Sequence, residues 1–105
     1  MDFNVLAANL GLEREEFIEL VELFVETAES DIQKIKTSYE QNDPEQLAEA
    51  AHSLKGSAGN LGFADLSEKA KLIEDNSRNE TLEGIEEITL KIEEMLGQVK
   101  QAVKK

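Results

Sequence analysis

Covalent chemistry in this chain has few places to sit. The sequence holds one histidine, His52, and no cysteine. His52 lies in the stretch Ala48–Gly62, with Ser53, Lys55, Gly56, Ser57 and Gly59 close behind it. On a helix of 3.6 residues per turn, Leu47, Ala50, Ala51, Leu54, Ala58 and Leu61 share one face within about 50°, and His52 points about 140° away. Ala48, Lys55, Gly56 and Gly59 fall in the same outward quadrant, so the ring is expected to leave the core beside a methyl, a lysine and bare main chain. An unperturbed imidazole is largely neutral at pH 7, nucleophilic, and able to carry a covalent adduct. Ser53 and Ser57 are near, but no Ser-His-Asp set is readable and no second acid or base accompanies the ring. The role left to a lone histidine is to hold a transferable phosphoryl group.

Glycine inside a helix costs about 1 kcal/mol relative to alanine. Two glycines beside the only histidine suggest that a partner must come close to the backbone there. Lys55, one turn on, offers a cation to an anion held on the ring. Charge points the same way. The chain carries 23 acidic and 11 basic residues, net -12, yet Ala50–Ile73 holds Lys55, Lys69 and Lys71 against only Asp65 and Glu68. This less acidic patch can accept a phosphoryl group or an acidic partner without strong repulsion.

The elements that must position His52 are helices. Period-2 alternation of β-branched and aromatic residues is absent, whereas three- and four-residue apolar steps run through the chain. A short helix is expected over 3–10, with Phe3, Leu6 and Leu10 inward and Gly11 as its stop. A long one follows over 12–40, through Phe17, Leu20, Val21, Phe24, Ala28, Ile32 and Ile35, with glutamates loading its early part. Asp43, Pro44 and Gln46 read as cap, first helical position and capping-box partner of the next helix. That helix runs to about 60 and ends at Gly62. A fourth is expected over 64–75, then a polar connector Asn76–Asn79, then a last helix over 80–103. The expected architecture is all-α: an antiparallel four-helix bundle with a short additional N-terminal helix, forming one domain over 1–105.

With those elements in place, Ala51-His52-Ser53-Leu54-Lys55-Gly56-Ser57-Ala58, followed by Asn60-Leu61-Gly62, resembles the signature of histidine-containing phosphotransfer (HPt) domains. The motif is His-x-x-Lys-Gly followed by small residues at mid-helix. The resemblance covers about fifteen residues in motif and the whole chain in architecture. It implies that His52 accepts a phosphoryl group from the phospho-aspartate of one response-regulator receiver domain and passes it to the aspartate of another. Lys55 would help hold the phosphoryl charge, and Gly56 would leave room for docking. Gly59, Ala48, Ser57 and Lys69 would complete the docking face. Such a carrier has no kinase activity and no cofactor of its own, and Mg²⁺ is expected on the partner receiver. Gly59 departs from the pattern, since a small residue with a β-carbon is expected there.

Two other readings compete. One is the phosphoacceptor domain of a larger histidine kinase, labelled directly from ATP; a hybrid histidine kinase is also a candidate partner. The initial Met1 and the lack of a linker favour a stand-alone protein. The other is a non-catalytic acidic interaction module in which His52 is incidental. Composition removes further classes. Net charge -12 argues against nucleic acid, the lack of cysteine excludes disulfides and thiolate chemistry, and a single histidine excludes a multi-histidine metal site. No run of about 18 apolar residues exists to span a membrane, and residues 1–12 lack signal-peptide character. A cytoplasmic monomer is the expectation.

Overall fold

The computed structural model describes residues 2–104. Among them the chain forms five helices and no strand: α1 (Phe3–Asn9), α2 (Arg14–Glu40), α3 (Pro44–Asn60), α4 (Ala64–Arg78) and α5 (Ile85–Val103). Local chemistry explains most boundaries. Asp2 Oδ1 accepts from the Asn4 and Val5 amides and starts α1. Glu13 and Glu16 form a reciprocal capping box at α2. Asp43 Oδ1 accepts from Gln46 N at 3.2 Å, with Pro44 opening α3. Gly11 and Gly62 end their helices at φ +70° and +87°, a backbone region where a side chain is strained.

Two boundaries differ from the sequence expectation. Helix α4 does not stop at 75 but continues through Asn76, Ser77 and Arg78. Ser77 is buried and returns its hydroxyl to Ile73 O, so this polar segment satisfies itself within the helix. Helix α5 begins at Ile85 rather than 80, because Gly84 takes φ +84° and sets a turn ahead of it. Gly84 is thus the N-cap of α5.

The four longer helices neighbour one another in chain order around the bundle, and α5 closes back on α2. Helices α3 and α4 run antiparallel, since residue 52 meets 74 while residue 59 meets 67. Their contact is the most extensive in the molecule. Helix α1 packs on α2 at one end, where Phe3, Phe17, Phe63 and Phe24 meet in a chain of edge and tilted ring contacts at 5.4–6.3 Å. The core runs on through Val21, Ile35, Leu47, Leu54, Ile73, Ile85 and Ile92, all buried. Each large apolar side chain so buried contributes about 1.5–3 kcal/mol before chain entropy is counted. Leu10 and Leu20, expected inward, are exposed instead. Leu10 is the C-cap residue just beyond α1, and Leu20 lies beside the buried stripe of α2 that Phe17, Val21 and Phe24 form.

Two glycine substitutions should move stability in opposite directions. Gly97 lies inside α5, and no atom stands within 4 Å of the position a Cβ would take, so Gly97→Ala should stabilise the fold by about 0.5–1 kcal/mol. At Gly62 the φ is +87° and a Cβ would come within 3.1 Å of Leu6 Cδ2, so Gly62→Ala should destabilise by about 1–2 kcal/mol. Urea midpoints of the two variants against the parent chain check both signs.

Candidate functional site

His52 sits in the third turn of α3, flanked in sequence by Ala51 and followed by Leu54, both fully buried. Those two residues lock the helix face against the core and turn the imidazole outward, with 62% of the side chain exposed. The ring is not free to spin. Its Nδ1 lies 2.9 Å from Glu74 Oε2 on α4. Glu74 itself is only 7% exposed, and it collects two more donors. Arg78 donates from Nη2 at 2.8 Å and from Nε at 3.2 Å to the same Oε2. The Lys55 ammonium faces the other oxygen, Oε1, at 2.8 Å as an ion pair.

The electrostatics of Glu74 follow from this ring of donors. Burial alone would raise its pKa, but Lys55, Arg78 and His52 outweigh burial and hold the carboxyl at about 2, against 4.5 normally. Glu74 is therefore an anion at neutral pH and can only accept hydrogen bonds. In its neutral form the imidazole then carries its proton on Nδ1, because Glu74 can only accept. Nε2, at the far side of the ring, is left unprotonated with its lone pair toward solvent. A carboxylate that fixes one ring nitrogen and exposes the other is the arrangement that a histidine nucleophile needs.

The expected neighbours divide into groups. Lys55 is drawn to the site and is half-buried by its pairing with Glu74. Gly56 is exposed, and no atom lies within 4 Å of where its Cβ would be. Ser57 is half-buried and returns its hydroxyl to Leu54 O at 3.2 Å. Lys69 is half-buried on α4 and, among the described residues, makes no ion pair with the His52 cluster. Ala48 must be corrected: it is not on the outward face but 2% exposed. Gly59, although exposed, sits on the α4 side, where a Cβ would touch Ser67 Oγ at 3.4 Å. The quadrant holding Ala48 and Gly59 is largely the seam with α4, and the small residues there let the two helices approach. On the other flank, Ser53 donates to buried Asp31 of α2 at 2.9 Å.

Glu74 and Arg78 are the residues that sequence reasoning missed. Glu74 carried a usable signal: it stands four residues after Ala70 and eight after Leu66, in line with the buried face of α4. An acid at a core-facing position calls for a partner. Arg78 was hidden because Asn76–Asn79 reads as a connector. With both included, residues 50–78 hold Lys55, Lys69, Lys71 and Arg78 against Asp65, Glu68, Glu74 and Asp75, and the patch is neutral within a chain of -12.

The state of Glu74 makes a pH prediction. A carboxyl with a lowered folded-state pKa adds stability that is complete above about 4.5 and is lost as pH falls toward 2. The drop from 4.5 to about 2 corresponds to roughly 3 kcal/mol. The stability difference between the parent chain and Glu74→Gln should therefore be full at pH 6 and shrink steadily from pH 4.5 to pH 2. Urea melts at several pH values measure it, and a difference that does not change across that window would refute the ionised, clasped state.

Comparison with known proteins bears on the family and the fold. The family model for the Hpt domain matches residues 19–102. Among proteins with curated descriptions, none matches the chain. Among solved structures, histidine-containing phosphotransfer protein B (HptB) from Pseudomonas aeruginosa PAO1 is similar, with a TM-score of 0.86 and 25% identity over 99% of this chain and 90% of that one. A match across most of the chain, on the same helical bundle, makes this chain a member of the Hpt domain family.

Proposed function

We propose that this chain is a phosphorelay carrier in which His52 is the phosphoacceptor. One observation carries the reading: an exposed imidazole whose Nδ1 is held by a buried, ionised carboxylate, leaving Nε2 free to attack. The Nε2 lone pair attacks the phosphorus of a receiver's aspartyl phosphate. The Nε2–P bond forms as the P–O bond to the aspartate breaks, and that electron pair leaves with the receiver's carboxylate. The ring keeps its Nδ1 proton throughout, so the positive charge that develops on it faces Glu74. Reversal of the same step onto a second receiver's aspartate completes the relay.

Each neighbour has a part in this reading. Lys55 offsets the phosphoryl charge beside the ring. Gly56 is the bare surface on which the receiver rests, because any side chain there would stand between the two proteins. Ser57 and Lys69 lie toward the edge of that surface. Gly59 and Ala48 serve it indirectly, by bringing α4 and Glu74 up to α3. Mg²⁺ is expected on the receiver, together with most of the transition-state charge stabilisation. The chain itself would be a carrier without kinase activity, working as a monomer in the cytoplasm. Among the described residues, no helix is long and apolar enough to cross a membrane.

Incubation with a phosphorylated receiver should place acid-labile, base-stable label on the parent chain and none on His52→Gln. Equal labelling of the two would sink this reading. Gly56→Arg should keep the parent's helical circular dichroism and melting midpoint, since nothing packs within 4 Å of that position. Its transfer rate should nevertheless fall at least tenfold, because docking is blocked.

A further inference from the structure

The side of the bundle opposite the α3–α4 seam is less fully closed. Helices α2 and α5 run antiparallel there, tied by Lys36–Glu93 at 2.6 Å and Glu29–Lys100 at 3.3 Å. On each helix the two ties stand about two turns apart. Two open hollows follow this seam, of about 220 Å³ and about 270 Å³, with Lys36 and Glu93 as their common wall. The first lies beyond the Lys36–Glu93 tie, walled by Tyr39, Glu40, Glu86 and Leu90. Leu90 is 61% exposed, and among the described residues neither Glu40 nor Glu86 makes an ion pair. The second lies between the ties, with buried Ile32 and Leu96 as its floor and Gly97 beside them. Nothing stands within 4 Å of where a Cβ of Gly97 would be. Alanine there would strengthen α5, whereas glycine weakens the helix and leaves the hollow open.

We propose that the α2–α5 seam is a second docking surface, shaped for a basic amphipathic helix of a partner protein. The inference goes beyond the carrier reading and uses neither His52 nor phosphate. Leu90 and Gly97, one at each hollow, are two turns apart on α5, so the hollows are spaced about 10 Å along it. A partner helix laid in the groove presents side chains at i and i+7 with that same spacing. Charge decides what those side chains are. Lys36 and Lys100 are engaged with Glu93 and Glu29, which leaves Glu40 and Glu86 as uncompensated anions on opposite walls of the first hollow. An arginine or lysine suits it, with its stem on Leu90 and its cation between the two carboxylates beside the Tyr39 ring. The second hollow has a balanced ion pair at either end and an apolar floor, so it takes an apolar side chain, and Gly97 gives the room. A second copy of this chain is the poorer occupant, since two chains of net charge -12 repel each other. A partner held on this seam leaves His52 uncovered.

The probe is a synthetic helical peptide of about 16 residues, long enough to span both hollows, with arginine and leucine at i and i+7 on one face and no aromatic residue. Tyr39 is the chain's one tyrosine and there is no tryptophan, so its emission follows the titration. Amide NMR shifts then locate the peptide. Saturable binding is expected, with shifts confined to α2 from Glu29 to Glu40 and α5 from Glu86 to Lys100. Glu40→Lys combined with Glu86→Lys should weaken binding about tenfold or more, and so should Gly97→Leu, which fills the second hollow. Glu22→Lys combined with Glu26→Lys changes the net charge equally on α2 outside both hollows, and should weaken binding about threefold at most. Absence of saturation, or shifts centred on α3 and α4, would overturn the proposal. So would a control pair as damaging as Glu40→Lys with Glu86→Lys, or a Gly97→Leu chain of parent circular dichroism that binds as the parent does. A parent chain that sediments as a dimer and is split by Gly97→Leu would give the seam to a second copy and overturn it as well. Failure of a receiver to label His52, by contrast, strikes the carrier reading and leaves the seam to stand on the peptide titration.

Discussion

A buried carboxylate cannot be left unpaired, and the site is organised around that constraint. Glu74 stands on the core-facing side of α4, in line with Leu66, Ala70 and Ile73. An uncompensated charge in such a place would cost several kcal/mol. The structure compensates it with three donors from two helices: His52 and Lys55 from α3, and Arg78 from the last turn of α4. The need to satisfy one acid thus selects a ring orientation, holds a lysine beside the ring, and ties the end of α4 to the middle of α3. Because His52 is bonded through Nδ1, satisfying Glu74 and preparing Nε2 are the same event.

That arrangement requires α3 and α4 to run close together, and small residues make this possible. Ala48 is buried near Ser77, and Gly59 meets Ser67. Ser67 further donates to Lys55 O at 3.0 Å, a side chain bridging onto the neighbouring backbone. A larger residue at 48 or 59 would push the helices apart and stretch the Glu74 contacts at residue 52. The glycines near His52 therefore do two different jobs. Gly59 serves packing between helices, while Gly56 keeps the outer surface bare.

The sequence alone made His52, Lys55 and Gly56 legible, because glycines cost helix stability and their place beside a lone histidine off the apolar stripe needs a reason. It also made the helix count and the α3 cap legible, through apolar spacing and the Asp43–Pro44–Gln46 signal. It could not separate a face that looks at solvent from one that looks at a neighbouring helix. Both lie off the main apolar stripe, and alanine and glycine suit either. This is why Ala48 reads as exposed and is not. Glu74 was hidden for the complementary reason: charged residues are assigned to solvent unless a partner is known, and its partners on α3 lie 19 and 22 residues away in the chain. Arg78 required knowing that Asn76 and Ser77 are helical, which depends on the Ser77 hydroxyl bonding back to Ile73.

Asp31 shows that burial by itself does not set the state of these acids. It is as enclosed as Glu74 and touches α3 one residue along, through Ser53. Its pKa is raised by burial, which the Ser53 hydrogen bond and the charge of Lys34 only partly offset. Glu74 is lowered because cations contact it directly. A hydroxyl returns about 1 kcal/mol to a buried carboxylate, whereas hydrogen bonds from charged groups return roughly two to three times as much each. The two flanks of α3 therefore behave differently. On the α2 side a weakly held acid ties the helix down through a hydroxyl. On the α4 side an acid that stays ionised across the whole neutral range keeps the proton of the neutral ring on Nδ1, and Nε2 is the nitrogen left to react.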